Sequence, residues 1–197
     1  MNYVNQQWFD RHDALPMARG ASSKSAIYSS SGDVVGYVTN GGIALPMRHI
    51  LPAGARIVRF GTILPWVAVT GGWWLEQTAY DRIKAWADSK GHSVQVGVRL
   101  CCCVPLDWST MDVVVHARLK QPLLAYRGVG SPAVVKHHKT GTSERIDPQS
   151  DLNGVPVEQL FIPGIGNPDV RHDSLMVERT GNLPQEDARR GYIIRPA

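Results

Sequence analysis

Apolar and polar positions follow two different periods along this chain. A period of two runs through HSVQVGVRL, where Val94, Val96, Val98 and Leu100 fall on one face and Ser93, Gln95 and Arg99 on the other, which predicts a strand. ARIVRFGT, with Ile57 and Val58 between Arg56 and Arg59, MDVVVHARL, PLLAYRGV, PAVV and VEQLFIPGI read as further strands. ILPWVAVTGGWWL also reads as β, cut into short extended pieces by Pro65 and by Gly71-Gly72. The other period appears once. Ala79, Ile83, Trp86 and Ala87 recur at helical spacing, Thr78 and Asp81 resemble a capping box, and Gly91 is the stop, which predicts a helix over 78–90.

Turn residues set the organisation around these elements. Residues 26–44 predict a hairpin turning at Ser-Ser-Gly-Asp and closed by Asn40-Gly41-Gly42. His137 to Asn153 is polar and turn-rich, so it is expected to be a loop. The expected fold is therefore α+β: a β-rich single domain of short, mostly antiparallel strands with one clear helix. That domain would occupy residues 1–180, followed by a peripheral tail over 181–197.

Composition narrows the class. At 197 residues the chain is long enough for one sizeable core, and an apolar fraction of 43% excludes a chain disordered throughout. No window approaches a membrane span, and MNYVNQQWFDRHD lacks the layout of a signal peptide, so a cytoplasmic protein without a membrane partner is expected. The net charge of +4 is carried mostly by arginine, whose planar fork suits phosphate, but it is scattered rather than gathered into a tail. Cys101, Cys102 and Cys103 are adjacent with no second cluster, and His137-His138 has no third partner nearby in sequence, so no metal is expected. Buried, reduced thiols are the simpler expectation. Phosphate loops, GxGxxG after a strand, HExxH and GxSxG are all absent.

Three separated pieces combine into a chemical possibility. Arginine can hold a diphosphate or a ribose oxygen, and an indole can stack on nicotinamide. A carboxylate beside the ribose stabilises the oxocarbenium-like state formed as the glycosidic bond loosens. ARIVRFGT, WWLEQTAYDRIKAWA and VEQLFIPG supply such groups in that order, and the arrangement resembles the ADP-ribosyltransferase superfamily. That resemblance implies NAD as substrate, Arg59 as the dinucleotide anchor, Trp73 or Trp74 as the nicotinamide wall and Glu158 as the catalytic carboxylate. It also implies a macromolecular acceptor, protein or nucleic acid. The family's Ser-Thr-Ser element is absent, and Pro156 stands where many members carry a second Glu or Gln, which speaks against arginine-directed transfer.

Two other readings stand beside it. A non-catalytic accessory protein of a phage or mobile element would hold nucleic acid or a protein through Arg99, Arg118 and Arg127. A purely structural scaffold would need no ligand. In any of them, adjacent tryptophans on a strand face opposite ways, so at least one of Trp73 and Trp74 is expected in the core.

Overall fold

The computed structural model describes residues 3–22, 24–62, 64–136 and 143–184, with the backbone of 195–196. Two short helices, α1 (Gln6–Phe9) and α2 (Ala14–Ala18), precede a hairpin of β1 (Ala26–Tyr28) and β2 (Val34–Tyr37), which lies inside the expected 26–44. Next come β3 (Met47–Leu51), β4 (Arg56–Gly61), α3 (Pro65–Ala68), β5 (Trp73–Glu76), α4 (Gln77–Ser89) and α5 (Val94–Cys102). The second half adds β6 (Val113–Leu119), β7 (Leu123–Val129), β8 (Ala133–Lys136), β9 (Ser143–Ile146), β10 (Glu158–Phe161), α6 (Pro168–Ser174), β11 (Leu175–Asn182) and β12 (Arg195–Pro196). The fold is α+β and β-rich, and its strand pairs are antiparallel.

Seven strands form the main sheet in the order β11-β6-β4-β5-β10-β7-β3. Its curvature follows from chain reach. Only residues 52–55 join β3 to β4, although β5, β10 and β7 lie between them in the sheet. In a flat sheet that link would cross four strand spacings, roughly 19 Å, while the five steps from Leu51 to Arg56 reach about 18 Å fully extended. Gly54, at φ +84°, turns the link back, so its reach is shorter still. The sheet therefore curls, and its two flanks approach each other.

Strand alternation then sorts the core into two layers. Ile57, Trp74, Leu160, Ala125 and Leu51 fill the concave face, with α3 and α6 residues over it. Val58, Phe60 and Leu75 face the other way, under α4 and α5. Asn5 ties the N-terminus to this frame by donating to the carbonyls of Leu124 (2.8 Å) and Pro163 (3.0 Å) and accepting from Leu124 N–H.

Several local expectations are corrected. The predicted strand at HSVQVGVRL is α5, capped by Ser93, whose Oγ accepts from Val96 N–H at 3.2 Å. The supposed polar face is buried as well, Gln95 at 2% exposure and Arg99 at 0%. A segment buried all round has no outward face to set its period. The cysteines accordingly end a helix rather than a strand, with Cys103 in the left-handed region at φ 54°. Pro65 opens a short helix rather than an extended piece, because its fixed φ suits a first helical position. The predicted helix begins at Gln77, and Thr78 makes no side-chain cap. Within the expected loop 137–153, residues 143–146 form β9, while His137-His138 lie outside the described residues. β11 takes Gly181 and Asn182 out of the expected tail, most of which lies outside the described residues.

Candidate functional site

The concave face carries a polar cluster at its open end. Glu158 begins β10, two residues from Leu160 and therefore on the same face. Glu76 ends β5, and the register pairing Leu160 with Trp74 sets Glu76 beside Glu158 on the neighbouring strand. Arg127 of β7 stands opposite Leu160. Its Nε donates to Glu158 Oε2 at 2.7 Å, its Nη2 contacts the same oxygen, and its Nη1 lies 3.5 Å from Glu76 Oε1. His49 Nε2, on the edge strand β3, is 3.2 Å from that Glu76 oxygen. Three strand spacings, roughly 14 Å in a flat sheet, separate β3 from β5, so the curl is what makes this contact.

Two carboxylates thus converge on one guanidinium, with an imidazole against one of them. All four side chains are about one-third exposed. Among the described residues Glu76 Oε1 is buried with no aligned hydrogen bond, and its close neighbours are the Arg127 guanidinium and the His49 imidazole. The group can hold and move a proton and can face a developing positive charge.

The sequence-derived site residues divide between this cluster and a separate cavity. Arg59, Trp73 and Trp74 all line a cavity of about 570 Å³, while Glu158 is absent from its walls and Gln159 is present. Alternation along β10 explains the separation, since Glu158 and Gln159 face opposite ways. Arg59 is already bonded to the backbone. Its Nε and Nη1 donate to the carbonyls of Ala68 and Trp73, and burial lowers its pKa to about 10. Its guanidinium also lies where any side chain at Gly71 would go. Trp74 is core, 2% exposed, with Nε1 donating to Gly71 O at 2.9 Å. Trp73 faces the other side and packs on Phe161 with ring centroids 5.0 Å apart.

The three arginines expected for nucleic acid are engaged. Arg99 is fully buried and donates to the carbonyls of Val104, Pro105 and Ser109, so it is corrected from a surface contact to a core one. Arg118 donates to Glu178 at 2.7 Å, and Arg127 belongs to the cluster. Sequence reasoning missed Glu76 and His49. Glu76 stood inside the quoted WWLEQ segment, but only the register with β10 gives it a partner.

Among the described residues, no group of three or more His, Cys, Asp or Glu side chains is placed to hold a metal ion. Burial pushes the thiols of Cys101 and Cys103 up to about 12 and that of Cys102 well above its ordinary value, which leaves them protonated. No helix among the described residues is long and apolar enough to cross a membrane. No protein-family model and no curated protein matches the chain.

Proposed function

We propose that the protein is an NAD-consuming enzyme of the ADP-ribosyltransferase kind, with Glu158 as its catalytic carboxylate. The observation that carries this reading is the convergence of Glu158 and Glu76 on Arg127 at the mouth of the concave face. Cleavage breaks the bond from the nicotinamide nitrogen to the ribose carbon, and the electron pair leaves with nicotinamide. A carboxylate held in place beside that carbon favours the cationic transition state over the ground state. Arg127 fixes the orientation of Glu158. Glu76, with His49 at 3.2 Å, is the group placed to take a proton from an acceptor, protein or nucleic acid.

This reading keeps Glu158 and moves the substrate contacts away from Arg59, whose donors already serve two backbone carbonyls. The accessory-protein reading has less support, because a phosphate would have to displace existing partners of Arg99, Arg118 and Arg127. Incubating the protein with NAD and following nicotinamide tests the proposal. The wild type should release nicotinamide, and Glu158→Gln should slow release by about a hundredfold or more while the fold persists. Absence of release from the wild type, or unchanged release from the variant, removes the assignment.

A further inference from the structure

The cavity shares none of its described wall residues with the His49, Glu76, Arg127 and Glu158 cluster, and its walls have their own character. Well-packed interiors leave few voids larger than a water molecule. This one, about 570 Å³, falls within the range of about 300–1,000 Å³ typical of small-molecule sites. We propose that it is a second binding site, taking an uncharged, flat, ring-bearing small molecule.

The chemical class follows from what the walls offer. Trp73, Trp108, Phe60 and Met111 supply broad aromatic and polarisable surface. Among the described residues no carboxylate lines the cavity, and the one basic residue there is Arg59, whose Nε and Nη1 are bonded to the Ala68 and Trp73 carbonyls. A cation would therefore meet no counter-charge, and an anion only a buried guanidinium already bonded to two carbonyls. The wall thiols of Cys102 and Cys103 are neutral.

Polar side chains in the wall are also committed. The Asn40 amide exchanges two hydrogen bonds with the Val134 backbone, at 2.7 and 2.8 Å. Gln159 donates to Gly42 O at 2.8 Å, and Ser109 Oγ accepts from Met111 N–H. Water inside would find few open partners, so displacing it by an apolar ring is favourable. The wall is held ready for this. Arg99 fastens the segment bearing Trp108 through three carbonyls, and the Trp108 ring lies 3.0 Å from where a side chain at Gly41 would begin.

The test uses the full chain and two dyes that differ by one charge, neutral N-phenylnaphthylamine and its sulfonated analogue anilinonaphthalenesulfonate, each titrated by fluorescence. The neutral dye should bind saturably, one per chain, and the sulfonate about tenfold more weakly or worse. Trp108→Ala should weaken the neutral dye about tenfold through loss of ring contact. Val38→Trp, an outward position at the wall, should block it without disturbing the core. Glu158→Gln should leave dye affinity unchanged, which keeps this result independent of the NAD reading. Equal binding of both dyes, or neutral-dye binding indifferent to both wall variants, would overturn the proposal.

Discussion

Arg59 and Arg127 illustrate how one residue type acquires opposite roles from its neighbours. Arg59 bonds to backbone carbonyls that would otherwise be buried and unpaired. Arg59→Met should lower stability by about 2–4 kcal/mol in urea unfolding, since each stranded carbonyl costs roughly 1–3 kcal/mol. Arg118→Ala, at a partly exposed pair with Glu178, should cost less than about 1 kcal/mol. Equal losses would contradict the assignment of roles. His116 gives a pH-dependent counterpart. Burial, with Arg179 alongside at 3.2 Å, holds it below its ordinary 6.5, while Gln77, Asp81, Glu178 and the edge of Tyr80 complete its surroundings. The unfolded chain then takes up the proton first, so this contribution to stability is complete above about pH 6.5 and is lost as pH falls below it. Replacing His116 with Asn should flatten the slope of the urea midpoint between about pH 7 and about pH 5 relative to wild type. An unchanged slope would show that His116 does not titrate on unfolding. Neither role was legible in the sequence, because both arginines stand at strand positions of similar local pattern and their partners are remote.

At the scale of elements, legibility depended on whether a face meets solvent. β6, β7 and β10 were readable from alternation and flanking turns, and α4 from its stripe of Ala79, Ile83, Trp86 and Ala87. α5 was misread because its valines alternate while every side is covered. Its packing explains why glycine stands at 97. A side chain there would begin 2.9 Å from Ile83 Cγ2 and 3.0 Å from Ala87 Cβ, so α5 approaches α4 closely at this point. Gly97→Ala should destabilise by about 1–3 kcal/mol through overpacking, outweighing the roughly 1 kcal/mol gained in helix propensity at most. A net gain in the urea midpoint would mean that the two helices are free to separate.

The whole molecule makes its candidate site by curling a sheet. His49, Glu76, Arg127 and Glu158 come from four strands, and only the order β5-β10-β7-β3 together with the short 52–55 link brings them to one mouth. Glu158 was singled out by the order of three separated pieces and not by its own strand, because a glutamate at the entry of an apolar strand is commonplace. Its companions were not, since neighbours across a sheet depend on strand order, which local pattern does not encode. The same geometry packs Trp73 against Phe161 and buries Trp74 in the concave core, as alternation requires. The most direct measurement is a comparison of NAD turnover and NAD affinity in Glu158→Gln. If Glu158 acts on the transition state, kcat for nicotinamide release falls about a hundredfold or more while the dissociation constant for NAD moves less than about threefold. A variant that retains wild-type kcat, or one that loses affinity in step with turnover, would contradict the account.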